Sequence, residues 1–379
     1  MKNTCNFLLT LIRSSLSSST QDHLSLSLDL DELMMTASLQ AVPIFVVDAL
    51  LKYFEVHPDH KYFAKDTFAD KARRLQCVGQ MMAFERMYAK HERAMADLAR
   101  LYATRGLRMM VLKGYGLSLD WPISNHRIVG DLDIYISSDK PNDKGDMAPW
   151  QEADALVREQ CGIRVDEGHE HHTVFCFNGV TVENHCDFIN TKAHRDALKI
   201  ETRLKKLAET NYKEIEVGGA RIYLPSADFN AIFLMRHMGQ HFAGEHLNLR
   251  QILDWGFFVK AHSHEVDWDA TILFLKEIGL YQFFNHINAI CTDSLGFAED
   301  IFPRIERNPY WEHRILKDIL HPEFEVTKPK KGLFAIIWFK AMRWWRNRWK
   351  HQLVYNDSLL MTFVTLAWSH LKRFKTIKD

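Results

Sequence analysis

Gly130-Asp131-Leu132-Asp133-Ile134-Tyr135-Ile136 alternates polar and apolar residues with a period of two. That is the pattern of a half-buried β-strand, and residues 128–136 are read as one. Alternation puts Asp131, Asp133 and Tyr135 on one face and Leu132, Ile134 and Ile136 on the other. Two carboxylates side by side repel each other unless a cation sits between them. An isolated Asp-x-Asp also fits a solvated strand face, so its surroundings decide the reading.

Upstream, residues 107–112 form a short, mostly apolar stretch that reads as a strand. Lys113-Gly114-Tyr115-Gly116 follows as a turn, then a brief helix over 117–121, then Arg127 just before the acid pair. Gly114 can let the backbone approach a phosphate, and amides opening the next helix can donate to it. Lys113 and Arg127 add positive charge, Arg127 with a fork able to grip two oxygens. Hard divalent ions accept carboxylate and phosphate oxygens together, so the constellation suits a nucleoside triphosphate. In isolation Gly114 reads equally well as a plain turn residue, and either cation as a solvated side chain.

Downstream, residues 172–177 and 180–188 are joined by Asn178-Gly179, a strong signal for a two-residue hairpin of type I′. That turn sets a register in which Val174 faces Glu183 and His172 faces His185.

The pattern Leu112-Lys113-Gly114, Arg127 and Gly130-Asp131-Leu132-Asp133 resembles that of the uncharacterised nucleotidyltransferase family common in bacterial genomes, related to the polymerase-β-like fold. A similar arrangement occurs in nucleotidyltransferase toxins of abortive-infection and toxin–antitoxin systems. The resemblance covers roughly residues 71–260. It implies an α+β fold: a polymerase-β-like nucleotidyltransferase core, a small mixed sheet with flanking helices, plus N-terminal and C-terminal helical regions.

The resemblance further implies a third carboxylate on a later strand, followed after one residue by a histidine. Glu183 and His185 fit. The implied metal is Mg²⁺, with Mn²⁺ the alternative, held by Asp131, Asp133 and Glu183; Glu183 is either a metal ligand or the general base for an acceptor hydroxyl. Lys113, Gly114, Arg127, Gly130 and His185 are the implied nucleotide-binding residues. Many superfamily members have Gly-Ser where this chain has Lys113-Gly114, so a serine hydroxyl is missing from the phosphate contact. The implied reaction moves a nucleoside monophosphate from an NTP such as ATP to an acceptor hydroxyl on a small molecule or sugar, an RNA end or a protein. A non-catalytic nucleotide-binding or interaction protein on the same fold is the alternative.

The remaining chain is read as helical on both sides of this core, giving regions 1–105, 106–225 and 226–379. Residues 71–105 carry Leu75, Val78, Met82, Phe84, Met87, Met95, Leu98 and Tyr102 at near-helical spacing, and Gly106 ends the run. Ser226 is a candidate N-cap for a helix over 229–242, and another helix is expected over 249–260, where Arg250 and Asp254 are spaced for a salt bridge.

His169, His171, His172, His185, His237 and His241 invite a transition-metal reading, and a zinc-dependent hydrolase is the third hypothesis. No cysteine stands at ligand spacing, and His172, His185, His237 and His241 read better as pocket-lining groups that orient a triphosphate or move protons.

Lysine plus arginine equals aspartate plus glutamate at 48 each, so no global field favours a polyanion. A local patch could: residues 328–350 hold Lys328, Lys330, Lys331, Lys340, Arg343, Arg346, Arg348 and Lys350 without an acid, interleaved with Trp338, Trp344, Trp345 and Trp349. Such a segment can contact RNA phosphates, lie on a membrane surface, or pack as an ordinary helix with snorkelling cations, which is the preferred reading. The six cysteines are scattered, as in a reducing cytoplasm. No uncharged apolar run is long enough to span a bilayer, and the N-terminal run broken by Arg13 reads as a helix rather than a secretion signal.

Overall fold

The computed structural model describes residues 2–16, 30–56, 68–138, 147–192, 194–324 and 332–358. Four helices lead in: α1 (Lys2–Leu16), α2 (Leu30–Leu39), α3 (Pro43–Val56) and the long α4 (Phe68–Ala103). The mixed region holds β1 (Leu107–Val111), α5 (Tyr115–Ser118), β2 (Leu132–Ser138), α6 (Pro149–Cys161), β3 (His172–Phe177), β4 (Val180–His185), α7 (Ala197–Thr210), β5 (Tyr212–Val217) and β6 (Ala220–Pro225). Helices follow: α8 (Ala227–Gly244), α9 (Leu249–His262), α10 (Trp268–Glu277), α11 (Tyr281–Ala289), α12 (Pro309–Leu320) and α13 (Leu333–Val354).

The six strands make one mixed sheet in the order β3-β4-β2-β1-β6-β5. β1 runs antiparallel to β2, while β2 with β4 and β1 with β6 run parallel. Asn178 and Gly179 both have positive φ (51° and 72°), as a type I′ turn requires, and the hairpin register pairs Val174 with Glu183 and His172 with His185, as expected. The β5–β6 hairpin is not among the expected elements, although its Gly218-Gly219 connection, at φ 54° and 74°, is the same kind of two-residue signal.

Strand alternation divides the core in two. Leu132, Ile134 and Ile136 of β2 and Val180 and Val182 of β4 join Leu98 and Tyr102 of α4 and Leu156 of α6 in one cluster. The opposite face carries Asp133, Tyr135, Glu183 and His185; there Tyr135 packs on Phe188, which meets Phe229 and Phe233 of α8. This second face belongs to the larger cluster built by the flanking helices. Burying one face on α4 and α6 therefore forces the acidic residues toward α8.

Two expectations need correction. The expected strand over 128–136 begins only at Leu132, because the backbone of the preceding residues is held by side chains instead: His91 Nε2 lies 2.6 Å from the Gly130 carbonyl, and Arg127 donates to the Ile128 carbonyl at 3.0 Å. Asp131 thus stands at the strand mouth, exposed, rather than inside the ladder. The apolar stripe of α4 is also only half used. Met95, Leu98 and Tyr102 are buried, but Leu75, Val78, Met82 and Met87 remain exposed among the described residues. A helix of 36 residues is roughly 54 Å long and outruns strands of five to seven residues, roughly 17–24 Å.

The basic, tryptophan-bearing segment forms α13, as the packed-helix reading expects; Lys328, Lys330 and Lys331 lie outside the described residues. Its inner face is fixed by Lys350, 1% exposed, at 2.5 Å from Asp318, and by Trp349 stacked on Trp311 with Arg314 over its ring. Trp338 and Trp345 face outward. No helix among the described residues is long and apolar enough to cross a membrane.

Two buried imidazoles make stability pH-dependent. Burial pushes His286 and His351 down to about 4, His351 with help from Lys350. The unfolded chain, with histidines near 6.5, binds more protons than the folded one between these values, so their contribution is present above about pH 6.5 and is lost as pH falls toward 4. On the order of 2 kcal/mol each is expected, measured as urea-derived stability at pH 7 and 4.5. A profile as steep in a His286→Gln/His351→Gln variant as in the parent would refute the assignment.

Candidate active site

The site begins where β1 ends. Gly114 adopts φ +65°, where a side chain would be strained, and so turns the chain from strand to helix beside Asp131, whose carbonyl a Cβ on Gly114 would meet at 3.6 Å. The expected helix after this turn is the single turn α5, too short to carry a useful dipole, so its amides count individually. The turn leaves Lys113 beside β2, with Nζ 3.0 Å from Asp133 Oδ1.

Parallel pairing of β2 with β4 puts Asp133 next to Glu183 and Tyr135 next to His185. His185 Nε2 lies 3.1 Å from Asp133 Oδ1 and 3.6 Å from Glu183 Oε2, while His172 Nε2 approaches Glu183 Oε1 at 3.9 Å. Donor atoms of Asp133, Glu183 and His185 all fall within 4.8 Å of one another.

The electrostatics separate the acids. Burial alone would raise the Asp133 carboxyl, but Lys113 and His185 outweigh it and hold it well below the ordinary range. The nearby His185 imidazole lowers Glu183 against the effect of its burial. Asp131, beside Asp133 and Glu183 and without a cation in contact among the described residues, is raised by partial burial and by the repulsion of those two acids. A divalent cation would relieve that repulsion, and carboxylate oxygens are hard donors; among the described residues the donors close enough to share one ion are those of Asp133, Glu183 and His185, a group that does not include Asp131.

His171, His172 and His185 form a second possible donor group; burial lowers the first two, His172 to about 4. His237 and His241 join no such group among the described residues. They sit on α8 across a cleft of about 350 Å³, whose floor includes Lys113, Gly114, Asp131 and Asp133 and whose far wall includes Arg250. Burial and Lys113 keep both imidazoles below their ordinary value.

Arg127 also borders the cleft, but its fork is already engaged. Nε and a terminal nitrogen donate to the two Asp254 oxygens, each at 2.7 Å, and Trp121 Nε1 adds a third bond at 2.9 Å. The expected Arg250–Asp254 helix pair does not form, because Arg127 reaches the same carboxylate from outside the helix with bidentate geometry. Of the anticipated site residues, Lys113, Gly114, Gly130, Asp131 and Asp133 share the cleft; Glu183 and His185 adjoin it through Asp133; Arg127 is tied back into the protein. Sequence reasoning missed Arg250, whose i,i+4 spacing to Asp254 hid it in an expected ion pair.

A family model described as Uncharacterised nucleotidyltransferase matches residues 69–296, more than half of the chain. No curated protein and no solved structure matches.

Proposed function

We propose, from the premise that the chain belongs to this uncharacterised nucleotidyltransferase family, that it transfers a nucleoside monophosphate from an NTP to an acceptor hydroxyl with release of pyrophosphate. Family membership supports nucleotidyl transfer in general; the metal, the residue roles and the acceptor chemistry are inferred. The observation that carries the reading is the β2–β4 register, which brings Glu183 beside Asp133 at a cleft whose floor also holds Asp131 and Lys113.

Asp131, Asp133 and Glu183 would hold the metal. Bound there, Mg²⁺, with Mn²⁺ as the alternative, would neutralise phosphate oxygens and the charge developing on the leaving pyrophosphate. The acceptor oxygen bonds to the α-phosphorus as the bond from that phosphorus to the pyrophosphate oxygen breaks. Where Glu183 is left free of the metal, it is the general base that takes the acceptor proton. His172 lies 3.9 Å from Glu183 and borders it on the β3 side. Lys113 and the Gly114 turn support the phosphates, and His185 keeps Asp133 and Glu183 in place. His237 and His241 enclose the cleft from α8.

The test incubates purified protein with each α-³²P-labelled NTP and Mg²⁺ in a cell extract, beside an Asp131→Ala/Asp133→Ala variant. Label moved only by the parent protein supports the reading and sizes the acceptor. No transfer and no calorimetric NTP binding would overturn it in favour of an interaction role on this fold. Stoichiometric zinc in the purified protein would instead favour hydrolysis through the His171, His172 and His185 group.

A further inference from the structure

We infer that the cleft wall at the start of α9 is a polyphosphate-binding subsite in which Arg250 is the anion-gripping cation, and that Arg127 is a positioning residue that frees Arg250 by capturing Asp254. The identity of the natural ligand as a nucleotide's triphosphate rests on the nucleotidyl-transfer reading. The subsite itself rests on the following geometry.

Arg250 and Asp254 lie four residues apart on α9, where a simple helix would pair them. Instead both Asp254 oxygens are held at 2.7 Å by Arg127, and Trp121 donates to one of them as well. Arg250 is left lining the cleft with its Nε buried and without a hydrogen-bond partner. No carboxylate stands within ion-pair distance of its guanidinium among the described residues. A buried Nε without an acceptor is costly, and an incoming oxyanion removes that cost.

The other charges nearby leave this role to Arg250. Lys113 sits on the cleft floor, where it supports phosphates while also 3.0 Å from Asp133, so the far wall is left to Arg250. Glu245, on the cleft rim, is 62% exposed and turned toward Arg343 at 3.8 Å. His237 and His241 are held toward their neutral forms by burial and Lys113, so they can contribute hydrogen bonds but little charge.

The first turn of α9 adds its positive dipole end to the same wall. Its amides are already occupied: Leu249 N and Arg250 N donate to Gln40, and Gln251 N donates to Asn248. The helix end therefore contributes field, and direct donation falls to the Arg250 fork. That fork suits the paired oxygens of a phosphate chain.

Inorganic tripolyphosphate is the probe, titrated by calorimetry into the full-length protein with and without Mg²⁺. Arg250→Gln is expected to weaken it by about 10- to 100-fold with an unchanged or raised urea midpoint, and Arg250→Lys by less. Arg127→Gln is expected to weaken binding indirectly, because Asp254 is then free to pair with Arg250. Removing that carboxylate too, in Arg127→Gln/Asp254→Asn, should restore binding toward the parent value, a rescue that a merely structural arginine would not give. Parent-like affinity in Arg250→Gln overturns the subsite, even where labelled nucleotide is still transferred. Arg250-dependent tripolyphosphate binding without any nucleotidyl transfer would support the subsite while removing the catalytic reading.

Discussion

An Asp133→Asn variant is expected to lose nucleotidyl transfer by roughly 10³-fold while remaining folded. Asp133 is the best-held acid of the site: 3% exposed, 3.0 Å from Lys113 and 3.1 Å from His185, and ionised across the neutral range because those partners outweigh its burial. Asparagine keeps its shape and can still accept from both neighbours, but it removes the charge that a divalent cation requires. The loss should therefore appear in the rate and in the Mg²⁺ concentration needed, with little change in a thermal melt. Transfer within tenfold of the parent would show that this carboxylate does not hold the metal.

Asp254→Ala is expected to act on the fold rather than on the chemistry, destabilising the protein by about 3–5 kcal/mol. It strips the acceptor from both Arg127 donors and from Trp121 at once, and Arg127 is only 5% exposed, so the orphaned charge cannot be hydrated in place. Replacing both partners, as Arg127→Met/Asp254→Leu, should cost far less than removing one, because the desolvation penalty of the ion pair disappears together with its attraction. Urea denaturation of both variants measures the contrast. A single variant within about 1 kcal/mol of the parent would mean that the pair does not bear on stability.

The strand and hairpin assignments around the acids were legible because period-two alternation and Asn178-Gly179 are local signals. A two-residue turn fixes the hairpin register by counting outward from it, and the pairing of His172 with His185 and Val174 with Glu183 follows that count. The start of β2 was not legible, since His91, on α4, holds the Gly130 carbonyl that a ladder would otherwise use. Nor was the exposure of Leu75, Val78, Met82 and Met87, because helical spacing reports a face and not what covers it.

By itself the sequence determined which residues carry charge, where the chain turns, and which faces of its strands are apolar. Those are properties of neighbours within a few positions, and they were enough for the α+β class and the family resemblance, which in turn makes Asp131, Asp133 and Glu183 the candidate acids. The tertiary structure decided which charge meets which. Local spacing pairs Arg250 with Asp254, yet Arg127, 127 positions from Asp254 in the chain, takes both carboxylate oxygens. A bidentate contact in a buried site outweighs a single-helix pairing worth a few tenths of a kcal/mol. That exchange closes one arginine into the core and turns the other toward the cleft.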